Sequence, residues 1–193
     1  FRVIDDPVAR RQALEAGDID GYDLVVYGTV VSTFLRDPSH IGPVDPALAG
    51  ALGSYALLGV LVGALLSGNF SDRLGRRRMM LGAYAWFSIG MFSTALTHTA
   101  ATFGIFRFLT GLGVGALLAT TAALVSEYAP PGRKNLYNAI TYNGVPLGSL
   151  AAAALAILLL DHIGWRWMFV IVAVCAALCV GATAWLVPSV PAR

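Results

Sequence analysis

The chain has 193 residues, of which 57% are hydrophobic and only 12% are charged, with a formal net charge of +2. About a quarter of the residues in soluble domains are charged, so this composition and a mean hydropathy of +0.70 exclude an ordinary soluble domain. The apolar residues form stretches long enough to cross about 30 Å of hydrocarbon and are rich in Gly and Ala, which indicates membrane-spanning helices rather than barrel strands.

We predict an all-α integral membrane protein with six transmembrane helices and short connections. Residues 1–18 are predicted to be a cytoplasmic N-terminal arm, and residues 188–193 a cytoplasmic tail or the start of an inter-domain linker. Between them lies the predicted transmembrane domain, residues 19–187. Its helices are predicted at about 19–35, 48–68, 79–97, 101–126, 138–160 and 167–187.

The first predicted helix opens with acidic residues in the stretch GDIDGYDLVVYG. Asp20 and Asp23 are three residues apart and Tyr27 is four beyond Asp23, so the three side chains share one helix face. Because burial disfavours a charged carboxylate, Asp20 and Asp23 are candidate proton carriers. The predicted helix barely spans the membrane, however, so the alternative is that these acids cap its N-terminus near the cytoplasmic interface.

Small residues recur at four-residue intervals along several predicted helices. Such stripes allow helix backbones to approach closely in lipid, and we expect helix packing along them. They are Gly59 and Gly63 on the second helix, Gly111, Gly115 and Ala119 on the fourth, and Gly144, Gly148 and Ala152 on the fifth.

Arg107 is the only Lys or Arg well inside a predicted span. Its guanidinium stays charged and can bind a carboxylate through two parallel hydrogen bonds, which suits an anionic substrate or a role in proton coupling. The alternative is structural, with Arg107 bonded to backbone carbonyls or to an acid on a neighbouring helix. The side chains of Tyr27, Tyr55, Tyr142 and Asn143 are candidates to contact an aromatic substrate, although each alone is more often a packing or interface residue.

The other basic residues fall mainly on one side of the predicted bundle, which is the cytoplasmic side because Lys and Arg near helix ends are retained there. Both ends of this segment are therefore predicted to be cytoplasmic. The opposite loops contain only Arg36 and Arg166. The cytoplasmic set is Arg2, Arg10, Arg11, Arg73, Arg76, Arg77, Arg78, Arg133, Lys134 and Arg193.

The predicted loop after the second helix, GNFSDRLGRRRMM, resembles the G-x-x-x-D-R-x-G-R-R/K motif of the major facilitator superfamily. The stretches RFLTGLGVG, SEYAPPGRKN and GWRWMF are similar to later segments of that superfamily. The resemblance implies that the chain is the N-terminal six-helix half of an alternating-access transporter whose C-terminal half is missing here. It also implies a conformational gate at the cytoplasmic face, made by Gly68, Asp72, Arg73, Gly75, Arg76, Arg77, Glu127 and Arg133.

DGYD at Asp20 to Asp23 is similar to the D-G-x-D signature of the aromatic acid:proton symporters, which are bacterial inner-membrane proteins. This resemblance implies proton-coupled uptake of benzoate-like or hydroxybenzoate-like anions, with the proton as coupling ion and no cofactor. Asp20, Asp23, Arg107, Tyr27, Tyr142 and Asn143 are the predicted substrate- and proton-binding residues. A symporter for other organic anions or for sugars is the first alternative.

A six-helix membrane enzyme or non-transport subunit is the second alternative, but it would need a catalytic cluster at one membrane surface. The three histidines fall in loops without metal-ligand spacing, and we predict neither a catalytic nor a metal site. Membrane topology accounts for the arginine run, so no nucleic-acid partner is expected. The predicted partners are a small aromatic carboxylate, the lipid bilayer and the second six-helix half.

Overall fold

The computed structural model describes residues 7–36, 41–128, 135–136, 139 and 143–186. Its side chains are described except at 7–20, 24, 72–74, 76–77, 124–128, 144, 159–163, 179–180 and 182–186. The described part contains six long helices and no strand. They are α1 Pro7–Arg36, α2 Pro46–Leu74, α3 Arg76–Ala95, α4 Ala100–Tyr128, α5 Gly144–Ile163 and α6 Trp165–Leu186.

Helix α1 begins at Pro7 rather than at the predicted Ile19. Proline suits the first position of a helix, and the sequence that follows, VARRQALEA, is rich in strong helix formers although it is polar. Residues 7–18 are therefore helical. Asp20 and Asp23 lie in the middle of α1, so the alternative that they cap its N-terminus is wrong.

A single residue, Gly75, connects α2 to α3, where the sequence predicted a loop from residue 69 to residue 78. Its φ of +82° with ψ of 141° is a conformation that glycine adopts readily and that costs a residue with a side chain about 1–3 kcal/mol. Gly68, the first glycine of that loop motif, lies exposed inside α2, and a Cβ atom added there would meet nothing within 4 Å. Only Gly75 makes the turn, and Gly164, with φ of +81°, connects α5 to α6 in the same way.

The helices pack in defined pairs, with α2 against α4 as the most extensive contact and α1 against α5 as the next. A Cβ atom on Gly59 would lie 2.2 Å from the carbonyl oxygen of Phe108, and one on Gly115 would lie 2.0 Å from that of Val60. The two backbones therefore touch with no side chain between them. This is the close approach that the small-residue stripes on these two helices predict.

An aromatic cluster fills the space between α1, α4 and α6. The rings of Phe34 and Phe103 meet edge to face at 5.4 Å, and Phe103 meets Phe169 in the same way at 5.9 Å. Trp165, the first residue of α6, packs edge-on against Phe34 at 4.9 Å. These buried rings pack α1 and α6 against α4 beside the polar residues described below.

Two stretches of the described chain are long and apolar enough to span a membrane, namely Pro46–Ser71 in α2 and Ala100–Ala123 in α4. Shorter apolar stretches occupy Val145–Leu158 and Trp165–Leu178. Large apolar side chains are exposed on the outside of the bundle, as a membrane environment requires. They include Leu57, Leu61, Leu65, Leu150, Ile157 and Leu178.

Candidate functional site

Asp23 and Arg107 form a buried ion pair between α1 and α4. Arg107 Nη1 donates a hydrogen bond to Asp23 Oδ1 at 2.5 Å. The two residues are 6% and 1% exposed, respectively. At such burial each charge depends on the other, because removing one member of a buried pair typically costs about 3–5 kcal/mol. The structural alternative for Arg107 named either backbone carbonyls or an acid on a neighbouring helix as its partner. The partner found is an acid, Asp23 on α1.

The ring of Tyr27 covers the Arg107 guanidinium. The guanidinium carbon lies 4.8 Å from the ring centroid, which is within the range of a cation–π contact. Tyr27 comes one helical turn after Asp23, so both side chains reach the same arginine from one face of α1. Asp23 supplies the opposite charge in this arrangement, and Tyr27 supplies an aromatic face.

Tyr27 is also fixed to α2. Its hydroxyl donates a hydrogen bond to the backbone carbonyl oxygen of Ala49, in the first turn of that helix. Its ring lies against Gly53, where a Cβ atom would come within 2.9 Å of Tyr27 Cε1. On α4, Phe103 stacks on the same ring with centroids 6.3 Å apart. Tyr27 therefore contacts two helices besides its own, α2 and α4.

The Nε donor of Arg107 is not used by the described residues. This nitrogen is buried, while Nη1 is engaged by Asp23. The backbone carbonyl of Arg107 accepts a bond from Thr110 Oγ1 at 2.9 Å, which belongs to the helix and not to the guanidinium. The guanidinium thus retains capacity to bind a further acceptor if it becomes accessible.

Gly21 sets the position of α1 beside the ion pair. A Cβ atom here would lie 1.9 Å from the carbonyl oxygen of Val145, so α1 and α5 are in backbone contact. Ser149 Oγ donates to the carbonyl oxygen of Gly21 at 3.1 Å across the same contact. Sequence reasoning included this glycine in DGYD without a role for it; the available signal was a glycine inside a helical pattern.

The other predicted binding residues are less defined by the structure. Asp20 lies on α1 almost one turn before Asp23, and its side chain is not among those described. The Asn143 side chain is exposed and donates to the carbonyl oxygen of Ala139 at 2.7 Å. Tyr142 lies outside the described residues, and Tyr55 is 44% exposed on α2.

The predicted gate residues lie at adjoining helix ends, as far as they are described. Asp72 and Arg73 are in the last turn of α2, and Arg76 and Arg77 open α3 across the single residue Gly75. Glu127 is in the last turn of α4. The side chains of these five charged residues and the whole of Arg133 are outside the described part, so their charge network stays a prediction.

A bundle of apolar helices that encloses a buried acid–arginine pair is typical of helical membrane proteins, in which ionisable residues within the spans are rare and mark functional sites. The family model of the Major Facilitator Superfamily matches residues 19–193. The chain therefore belongs to the major facilitator superfamily, as the loop motif predicted, and the all-α fold prediction is confirmed.

Two relatives with known names are similar over most of the chain. One is the benzoate transport protein of Acinetobacter baylyi, 36% identical over 157 residues that cover 79% of this chain and 33% of the relative. The other is the gentisate transporter of Corynebacterium glutamicum, 36% identical over 155 residues that cover 79% of this chain and 34% of the relative. The chain thus spans about a third of the length of the curated relatives it matches.

The fold is that of one half of a larger transporter structure. The partially occluded inward-open xylose transporter XylE from E. coli matches with a TM-score of 0.82 at 22% identity. The match covers 94% of this chain and 49% of the xylose transporter. At this identity the likeness concerns the fold and not the substrate.

Proposed function

We propose that this chain is part of a secondary active transporter that imports aromatic carboxylic acids, such as benzoate or hydroxybenzoates, together with protons by alternating access. The observation that carries the proposal is the buried Asp23–Arg107 pair between α1 and α4. Family membership supports transport rather than enzymatic catalysis. The names of the benzoate and gentisate relatives support the substrate class.

The charge of the pair suggests how a proton and an anion are coupled. When Asp23 accepts a proton, Arg107 keeps its charge and loses its partner, which is costly for a buried cation. A substrate carboxylate then restores neutrality by binding the guanidinium, whose donors include the unpaired Nε. One proton and one monovalent anion therefore enter the site together.

Joint transport of one proton and one anion also removes the opposition of the membrane potential to import. An anion that enters alone against a negative interior is opposed by about 2.3 kcal/mol per 100 mV. A proton carried with it cancels the transferred charge. The transmembrane pH difference then drives uptake in the proposed cycle, while the membrane potential contributes little.

The remaining predicted residues have supporting roles in the proposal. Asp20, almost one turn from Asp23 on α1, is a second candidate proton carrier, and Tyr142 and Asn143 are candidate contacts for the aromatic ring and its hydroxyls. At the ends of α2, α3 and α4, the charged gate residues favour one access state as a network, because single surface ion pairs contribute under about 1 kcal/mol. The network comprises Asp72, Arg73, Arg76, Arg77, Glu127 and Arg133.

We place the protein in a bacterial inner membrane with both ends of this segment in the cytoplasm. The concentration of Lys and Arg on one side of the bundle supports this orientation. A second six-helix half supplies the opposite wall of the substrate cavity in the proposal, in line with the share of the xylose transporter that the chain covers.

Uptake by the intact transporter in proteoliposomes tests the proposal. We expect an inside-alkaline pH gradient to drive accumulation of labelled benzoate or 4-hydroxybenzoate, an uncoupler to abolish it, and Asp23→Asn to reduce it by about tenfold or more. Asp45→Asn is the matched control because asparagine caps α2 as well as aspartate does. Uptake that survives both the uncoupler and Asp23→Asn would contradict proton coupling.

A competition panel tests the substrate class in the same vesicles. Benzoate, gentisate and 4-hydroxybenzoate should compete with one another, whereas xylose and aliphatic acids should not. Stronger competition by a sugar or an aliphatic acid would replace the aromatic-acid assignment by the alternative of another organic-anion or sugar symporter.

A further inference from the structure

The hydroxyl and the ring of Tyr27 both contact other groups of the protein. The hydroxyl is bonded to the carbonyl oxygen of Ala49, and the ring lies against Arg107 and Phe103. The sequence suggested Tyr27 as a contact for the substrate ring. In the structure its hydroxyl and its aromatic face already have protein partners, which favours a role other than direct contact with the substrate.

Two contacts restrain the guanidinium of Arg107, one its position and the other its orientation. The hydrogen bond from Nη1 to Asp23 fixes the position of one guanidinium nitrogen but does not by itself fix the plane of the group. The ring of Tyr27, 4.8 Å from the guanidinium carbon, restrains the plane of the group. Together Asp23 and Tyr27, one turn apart on α1, hold the arginine in both distance and orientation.

The ring itself is held by α2. Ala49 anchors the hydroxyl, and Gly53, one turn later on α2, leaves room for the ring edge because it has no side chain. Any other residue at position 53 would bring a Cβ atom within 2.9 Å of Tyr27 Cε1. The orientation of the guanidinium therefore depends on where the N-terminal end of α2 sits relative to α1.

We propose that Tyr27 is a positioning residue for Arg107, and not a substrate-binding residue, which holds the guanidinium on Asp23 and ties that position to the first turns of α2. The significance for transport rests on the proposed function. When α2 shifts relative to α1, the ring leaves the guanidinium, and Arg107 becomes available to a carboxylate ligand. Tyr27 thus links movement of α2 to the proton site.

Labelling of Asp23 by dicyclohexylcarbodiimide in the full-length protein tests this role without any substrate. The reagent modifies carboxyl groups in apolar surroundings, and pairing with Arg107 should protect Asp23. We expect Tyr27→Leu, which removes the aromatic face, to label about 5- to 30-fold faster than the unmodified protein, as measured by mass spectrometry of the α1 peptide. Tyr27→Phe keeps the face and loses only the bond to Ala49, so its labelling should rise less than that of Tyr27→Leu.

Gly53→Ala provides a second perturbation that leaves Tyr27 itself unchanged. The added methyl group displaces the ring from α2, so labelling of Asp23 should rise here as well. Gly28→Ala is the matched control, since it adds a methyl group on α1 next to Tyr27 where nothing lies within 4 Å. The Asp23→Asn variant gives the background labelling of the α1 peptide at residues other than Asp23. If Tyr27→Leu fails to fold, Gly53→Ala decides the question.

Transport kinetics separate a positioning role from substrate contact. A positioning role predicts that Tyr27→Phe changes the KM values for benzoate and 4-hydroxybenzoate equally, and that Tyr27→Leu lowers the maximal rate for both. Unchanged labelling in folded Tyr27→Leu and Gly53→Ala, or a Tyr27→Phe effect confined to 4-hydroxybenzoate, would overturn the inference. Because labelling uses no substrate, a protein that shows the expected labelling but imports no aromatic acid contradicts only the proposed function.

Discussion

The Asp23 carboxylate accepts a hydrogen bond from the Arg107 guanidinium although the two residues are 84 positions apart in the chain. Both residues are almost fully buried, so water cannot solvate one charge if its partner is removed. The pair should therefore respond to mutation as one unit and not as two independent residues.

Replacing Arg107 alone should be far more damaging to stability than replacing both members. Arg107→Gln leaves the Asp23 charge buried and unpaired, and we expect a loss of about 3–5 kcal/mol in the free energy of unfolding. Adding Asp23→Asn removes the unpaired charge and should restore most of that loss, as followed by thermal unfolding in detergent. Additive losses in the double variant would show that the two charges do not stabilise each other.

Gly21→Ala should separate α1 from α5. The new methyl group would lie 1.9 Å from the carbonyl oxygen of Val145, which is backbone and cannot rotate away. We expect a destabilisation of about 1–3 kcal/mol or more and a corresponding fall in the midpoint of thermal unfolding. Gly28→Ala on the same helix has open space and should be neutral or slightly stabilising. Equal behaviour of the two variants would mean that the α1–α5 contact is looser than the structure has it.

Two glycines of the same sequence motif should differ in their tolerance of alanine. Gly75→Ala forces a residue with a Cβ into φ of +82° and ψ of 141° and should cost about 1–3 kcal/mol. Gly68→Ala places its methyl group in open space inside α2 and should gain about 0.5–1 kcal/mol from helix propensity. Thermal unfolding of the two single variants measures the expected loss of stability at position 75 and the expected gain at position 68. A larger loss of stability at position 68 would contradict the assignment of the turn to Gly75.

Neutralising Asp72 tests the proposed gate. Asp72→Asn should reduce the rate of uptake while leaving the amount of membrane-inserted protein unchanged, because a network acts on conformational balance and not on insertion. Arg78→Gln is the control, since Arg78 is exposed at the same helix junction and was not assigned to the gate. Uptake kinetics that are unchanged by Asp72→Asn would remove the gate hypothesis.

The polar residues of the site could be found from the sequence because charge inside an apolar span is costly and therefore informative. The spacing of Asp23 and Tyr27 predicts a shared helix face, and Arg107 is set apart by its depth in the fourth predicted span. One of the two structural alternatives for this arginine was an acid on a neighbouring helix, which is the arrangement found. The roles of these residues in transport remain proposals.

The contacts that position those residues could not be predicted. Tyr27 binds the carbonyl of Ala49, and Gly21 meets the carbonyl of Val145; both partners are backbone atoms, which every residue has. No side-chain pattern marks them. Helix ends were missed for a related reason: hydropathy detects the apolar part of a helix, so the polar beginning of α1 from Pro7 and the polar end of α2 to Leu74 were taken for non-helical segments.

The backbone contact between α2 and α4 gives the molecule an internal distance standard. Where Gly59 meets Phe108 and Gly115 meets Val60, no rotamer change can alter the spacing of the two helices. Spectroscopic labels on the exposed residues Leu57 and Ile105 should therefore keep one separation in every access state. The distance from a label on α1 to either of these two labels would then report directly whether the helix that carries Asp23 moves during a transport cycle.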